Sequence, residues 1–244
     1  VVMEDLALVG DCSVGYLLTV MAKDVVGWTS NKTSSVFYVD VSRPVAGVVI
    51  DGYKADDMNW TSSDTTLYVQ WSGFVDEESG VESYEWGIGS SPGLLDVSSG
   101  FMTDNISHVN GSKWQANATG LGLTGGGVVT YHITVRAWNR ARLYVDSVSD
   151  GIRVDTSNPL SGIVLDGSDT SKDLVWQHLT GEVSATWDGF SDADSGVLYY
   201  EYAVGVVSDL TSVTGGYVDI GLVGTSMMLP GLVLSVACLR TSSV

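Results

Sequence analysis

Apolar and polar residues alternate along short runs of this chain, and Gly, Asp, Asn or Pro bounds each run. The run Tyr131-His132-Ile133-Thr134-Val135-Arg136-Ala137 shows the pattern most fully, and residues 67–71, 84–88 and 151–154 follow it. A period of two with turn-forming residues at both ends predicts half-buried β-strands. No stretch combines a 3.6-residue period with capping residues, so the pattern predicts an all-β protein.

The same runs occur twice. Val39-Asp40-Val41-Ser42-Arg43-Pro44 returns as Val154-Asp155-Thr156-Ser157-Asn158-Pro159, and Gly47-Val48-Val49-Ile50-Asp51-Gly52 as Gly162-Ile163-Val164-Leu165-Asp166-Gly167. Trp71-Ser72-Gly73-Phe74-Val75-Asp76 matches Trp187-Asp188-Gly189-Phe190-Ser191-Asp192, and both copies go on to Ser-Gly-Val. Tyr16-Leu17-Leu18-Thr19-Val20-Met21-Ala22 matches residues 131–137, and the offset is 115 or 116 throughout. A repeat of this length suits a β-sandwich of about 100 residues per module. The repeated aromatics Tyr16, Trp71, Tyr131 and Trp187 read as core residues.

The Tyr-x-Ile-x-Val-x-Ala-x-Asn run at 131–139 resembles the penultimate strand of fibronectin type III modules. The Trp-x-Gly-Phe-x-Asp-x-x-Ser-Gly-Val run at 71–81, followed by Tyr-Glu-Trp-Gly-Ile-Gly at 84–89, is similar to tandem sandwich repeats of large extracellular proteins of protists, algae and some animals. That resemblance covers nearly the whole chain. It implies tandem immunoglobulin-like, fibronectin type III-like β-sandwiches, a role in extracellular adhesion or scaffolding, and no catalytic site or cofactor.

The repeats are cut out of phase. Residues 45–158 make one complete module. Residues 1–44 match only the last strands of a module, read as a short Leu6-x-Leu8 strand, the Tyr16 strand and a Phe37-Val39-Val41 strand. Residues 159–244 match only the first part and lack the last two strands. The junctions at Arg43-Pro44 and Asn158-Pro159 are short and stiff, which leaves residues 1–44 no path around the middle module to residues 159–244 of the same chain. The expectation is therefore strand donation between chains, a head-to-tail homopolymer in which the N-terminal segment of one copy completes the C-terminal sandwich of the next. Its interface would hold Tyr16, Leu18, Val20, Ala22, Phe37 and Val39 of the donor, with Leu232 and Leu234 of the acceptor. Leu6-x-Leu8 and Leu232-x-Leu234 claim the same strand of the completed module. Cys12 and Cys238 follow these runs at matching positions, which makes them candidates for an intersubunit disulfide in an oxidising compartment, the other reading being two small buried residues.

Composition narrows the setting. Only 16% of the 244 residues are charged, with 29 acids against 11 bases and a net charge of -18. Such a field repels phosphate backbones and argues against nucleic-acid binding. Five of the seven asparagines lie in Asn-x-Ser/Thr sequons: Asn31, Asn59, Asn105, Asn110 and Asn117. The sequons predict an N-glycosylated protein, extracellular or at the cell surface. The chain opens Val-Val-Met-Glu-Asp, with no basic segment leading into an apolar one, so no signal peptide is visible.

Other signals are weaker. Residues 220–239 carry no charge over 20 positions, long enough to cross a bilayer, but Gly, Pro, Ser and Thr interrupt them and a membrane anchor is not expected. Gly120-Leu121-Gly122-Leu123-Thr124-Gly125 and Gly89-Ser90-Ser91-Pro92-Gly93 match a dinucleotide fingerprint and a nucleophile elbow only literally. Neither has the required strand-to-helix setting, and no enzyme activity or cofactor is expected. Asp192 and Asp194, like Asp76, Glu77 and Glu78, offer incomplete pieces of a calcium loop. Two other readings stand beside the fibril subunit. One is a fragment of a longer tandem-repeat adhesin whose flanking sequence holds the missing strands. The other is a glycan- or protein-binding receptor using Trp60, Trp114 or Trp138.

Overall fold

The computed structural model describes residues 2, 4–10, 12–53, 56–169, 171–221 and 226–230, the last stretch by its backbone. Among them every regular element is a strand, and the chain divides into two units after Thr156.

The first unit opens with a hairpin of β1 (Thr19–Lys23) and β2 (Thr29–Thr33). Nine strands follow: β3 (Val48–Asp51), β4 (Trp60–Thr61), β5 (Thr66–Ser72), β6 (Val81–Gly89), β7 (Ser107–Asn110), β8 (Lys113–Thr119), β9 (Thr130–Asn139), β10 (Tyr144–Val148) and β11 (Ile152–Val154). One sheet runs β3-β5-β8-β7. In the other, β9 pairs β6 along one edge; β10 and then β11 follow its other edge, and β4 adds in parallel to β11. Both sheets are otherwise antiparallel, and four strands facing five, with β10 and β11 as two halves of one broken strand and β4 as an addition, is the strand order of an immunoglobulin-type sandwich.

The core follows from strand parity. On β9 the inward positions are Tyr131, Ile133, Val135, Ala137 and Asn139, all at most 4% exposed. They meet Leu67, Val69 and Trp71 from β5, Trp86 and Ile88 from β6, and Ile152 and Val154 from β11, all 0–1% exposed. β-Branched and aromatic side chains suit such a pleated, two-sided core. Gly47 lets β3 enter against β5, because a Cβ there would lie 2.7 Å from the Phe74 amide nitrogen and closer still to the Ser72 carbonyl.

The second unit has β12 (Ile163–Asp166), β13 (Glu182–Asp188) and β16 (Ser226–Pro230) in one antiparallel sheet. Its other sheet pairs β14 (Tyr200–Tyr202) with β15 (Val218–Gly221). Gly162 meets Asp188 and Phe190 as Gly47 meets Ser72 and Phe74. The ring contacts also correspond: Trp187 and Phe190 lie 5.7 and 5.9 Å from Tyr200, as Trp71 and Phe74 lie 5.5 and 5.6 Å from Tyr84. What differs is burial. Val49 is 6% exposed and its counterpart Val164 is 58% exposed.

Two predicted strands are not strands. The Leu6-x-Leu8 run turns, with the Leu8 amide donating to the Leu6 carbonyl. The Phe37-Val39-Val41 run makes only an isolated bridge to Tyr16. Between β8 and β9 the chain is irregular at residues 120–123, where the Leu121 and Leu123 amides donate to the Thr65 and Asp64 carbonyls.

Candidate functional site: an uncovered hairpin and an open sandwich

The β1–β2 hairpin is built like the β9–β10–β11 edge of the complete sandwich. Thr19 pairs Thr33 where Thr134 pairs Val148, and Tyr16 bridges Phe37 where Tyr131 pairs Ile152. Every number differs by 115, so the hairpin keeps even the one-residue register shift between the two ladders. The turns correspond as well. Asp24 accepts the Trp28 amide at 2.8 Å, as Asn139 accepts the Leu143 amide at 2.8 Å.

Both strands begin with a tyrosine corner, a hydroxyl that accepts a backbone amide seven residues upstream. The Tyr16 hydroxyl takes the Val9 N–H and the Tyr131 hydroxyl the Thr124 N–H, each at 2.7 Å. Reading these tyrosines as plain core residues misses that role. The available signal was the position of each Tyr at the head of the penultimate strand.

Alternation along residues 16–22 puts Tyr16, Leu18, Val20 and Ala22 on one face, and the Phe37 ring lies 5.7 Å from that of Tyr16. The counterparts in the complete sandwich are fully interior. Here Leu18 is 45% exposed, Val20 63% and Phe37 45%, while Tyr16 and Val39 are half-buried and Ala22 is exposed. Among the described residues nothing covers this face. Asn31 pairs Met21 and so projects from the opposite face.

The second unit shows the complementary deficiency. Val164, Val183, Ala185, Trp187, Tyr200 and Leu210 line an open, mainly apolar groove of about 520 Å³. In the first unit the matching space is filled by β9 and β11. The free edge of β14 corresponds to the edge of β6 that pairs β9. Leu232, Leu234 and Cys238 lie outside the described residues, so the acceptor leucines and the candidate disulfide are not placed. Cys12 is exposed, with a free thiol.

Among the sequons, Asn31, Asn59, Asn105 and Asn110 are exposed and Asn117 is half-buried. Asn105 and Asn117 flank one shallow depression on the outer face of the β3-β5-β8-β7 sheet, and Asn110 ends its edge strand β7. The other marked residues have structural partners. Asp192 accepts the amides of Asp194, Ser195 and Gly196 at 2.8–3.0 Å, and Asp194 accepts the Ser157 hydroxyl at 2.9 Å. Asp76 likewise accepts the Ser79 and Gly80 amides. Trp60 stacks with Arg153 at 5.2 Å, Trp114 packs on Tyr84 at 5.4 Å, and Trp138 on Tyr144 at 4.8 Å. Residues 120–125 join two strands and residues 90–93 form a turn, so neither literal motif opens a helix. Of the uncharged run at 220–239, residues 226–230 form a strand, and no helix among the described residues is long and apolar enough to cross a membrane.

A polar contact that the sequence reading did not mark ties the end of the N-terminal segment to the sandwich. Buried Asn139 donates from Nδ2 to Asp40 at 2.8 Å, to the Ser42 carbonyl at 3.0 Å and to Asp76 at 3.1 Å. The Asp40 carboxyl is partly desolvated, but the Ser79 hydroxyl and its other donors hold it below the ordinary aspartate value.

No protein-family model matches the chain, and no curated protein does. Similar solved structures include a Ca2+-stabilized adhesin that helps an Antarctic bacterium reach out and bind ice, at 16% identity over 89% of this chain and 48% of that one, with a TM-score of 0.35. Another is the major pilin subunit of Bacillus cereus, at 9% identity, 87% and 74% coverage and a TM-score of 0.24. A third is a marsupial T cell receptor, at 12% identity, 88% and 72% coverage and a TM-score of 0.25. The chain spans about half the length of the first of these. The strand order itself gives the sandwich fold.

Proposed function

We propose that this is an extracellular, N-glycosylated structural protein whose tandem sandwiches join head to tail, the hairpin of one copy filling the open groove of the next. The observation that carries the reading is the hairpin itself. It keeps the register, turn and tyrosine corner of the β9–β10–β11 edge while its core-facing side chains have no core. Burying those side chains contributes on the order of 10 kcal/mol as an upper value, comparable with the cost of association. Backbone pairing with the free edge of β14 adds to it. The contact is heterologous and does not close by twofold symmetry, so it propagates into a fibril. Sugars on Asn105, Asn110 and Asn117 would shield the outer sheet and its edge strand from unwanted pairing. The role is non-catalytic and needs no cofactor for chemistry.

Negative-stain microscopy of the intact chain beside Val20→Asp tests this. Filaments or oligomers from the intact chain alone are the expected result. Monomers from both would refute donation between copies and assign the completing strands to flanking sequence of a longer adhesin.

A further inference from the structure

Parity along β3 turns Val49 and Asp51 to the same interior side, so the strand ends with a carboxylate in the rim of the core. Asp51 is 0% exposed, and its Oδ1 has no hydrogen-bond partner. The other oxygen accepts the Gly151 amide at 3.0 Å. Two more carboxylates converge on it. Asp57, in the loop before β4, accepts the Asp51 amide at 2.6 Å through Oδ1, and Asp150 stands in the break between β10 and β11. One oxygen from each of the three residues lies within 4.8 Å of the others. Oxygens bound to one Ca2+ at 2.3–2.6 Å are at most about 5 Å apart, so this spacing fits a single ion.

Three carboxylates this close repel one another unless a proton or a cation lies among them. Burial, reinforced by the charges of Asp57 and Asp150, pushes the Asp51 carboxyl up to about 7 against the hydrogen bonds from Ser149 and Gly151. The ion pairs among the described residues join Arg136 to Asp146 and Arg142 to Glu82, and neither reaches the cluster. Asp150 also lines a cleft with Asn59, Thr130 and Arg153, which opens the cluster to solvent. An all-oxygen, strongly anionic donor set selects hard divalent cations over zinc or copper.

The geometry points to a calcium site formed by Asp51, Asp57 and Asp150, which clamps the first strand of the sandwich to its last at the rim between the two sheets. It is distinct from the Asp192 and Asp194 turn, where Asp192 Oδ1 accepts three backbone amides. The second unit repeats only part of the arrangement. Asp166 donates its amide to Asp173 at 2.9 Å, but Asp166 is exposed, and the hairpin residue in register with Asp150 is Ser35.

The test is thermal melting of the intact chain in EDTA and in 10 mM CaCl2, with calorimetric titration of CaCl2. Extracellular calcium modules bind at about 0.1–1 mM, which at 10 mM ion raises Tm by roughly 3–10 °C. Asp57→Asn and Asp150→Asn, both at exposed positions, are expected to lose at least tenfold in affinity and most of the Tm rise. Each is also expected to melt in EDTA no lower than the parent, because one repelling charge is gone. A purely structural role would lower that baseline. No calcium response in the parent would overturn the site. So would a response unchanged in both variants, or one abolished only by Asp192→Asn with Asp194→Asn.

Discussion

Val20 and Val135 occupy the same place in two copies of one ladder, so truncating each to alanine separates the folded core from the assembly contact. Val135 is 0% exposed inside the complete sandwich, and Val20 is 63% exposed on the hairpin. Removing two buried methyl groups and leaving a small cavity costs about 2–3 kcal/mol. Val135→Ala should therefore lower the Tm of the unassociated chain by roughly 4–12 °C. Val20→Ala should leave that Tm unchanged, since an exposed substitution stays within about 0.5 kcal/mol. If Val20 becomes as buried in a neighbouring copy as Val135 is in its own sandwich, the same truncation costs about 2 kcal/mol of association. That corresponds to roughly 30-fold in Kd. Melting at low concentration and sedimentation velocity across a concentration series read the two quantities. Association of Val20→Ala within threefold of the parent would refute the reasoning, as would a Tm loss matching that of Val135→Ala.

Asn139→Ala removes an amide donor shared by two carboxylates and the Ser42 carbonyl, and strands the Leu143 amide, so it should cost about 3 kcal/mol, or roughly 6–12 °C in Tm. A melting curve within 2 °C of the parent, on the order of 1 kcal/mol or less, would contradict that accounting. The β6–β9 register, in which Glu85 pairs Arg136, places Met21 of a donor opposite Glu201 of an acceptor. Oxidising a chain carrying Met21→Cys and Glu201→Cys, with Cys12→Ser and Cys238→Ser, should give intermolecular disulfides on a non-reducing gel. Moving the second cysteine to Val204 should abolish them, and equal cross-linking at both positions would reject the register.

The sandwich was legible because its core obeys strict parity and the parity occurs twice. Tyr131, Ile133, Val135 and Ala137 alternate without a break, and residues 16–22 repeat them, so both the strand and the hairpin's inward face could be read. Apolar alternation is not sufficient, however, because a strand also needs a partner ladder. The 37–41 and 6–8 runs alternate too, but among the described residues neither has a neighbour to pair with along its length. The acidic cluster was hidden for another reason. Asp51 and Asp150 are nearly a hundred positions apart, and only the closing of the last strand onto the rim beside β3 brings them together. The one local clue was Asp51 at an inward position directly after Val49, a charge where parity calls for an apolar group. Asn139 gave the same clue at the end of β9.

The form of the hairpin bears on whether donation is energetically feasible. A lone extended segment would have to order its backbone on docking, at about 1–2 kcal/mol per residue. That would exceed the burial gain over some twenty residues. Here the ladder between Thr19–Lys23 and Thr29–Thr33, the Asp24 turn and the Tyr16 corner already fix the backbone before any partner arrives. Docking then resembles the meeting of two preformed surfaces, and most of the apolar burial is left to offset lost translational and rotational freedom. The same preorganisation would favour donating two strands rather than one. The β10–β11 partner of β9 supplies Ile152 and Val154 to the core, and the hairpin carries their counterparts, Phe37 and Val39, on the same piece of backbone. A single strand would fill only the β9 part of the groove and leave the side that β11 covers in the complete sandwich open to water.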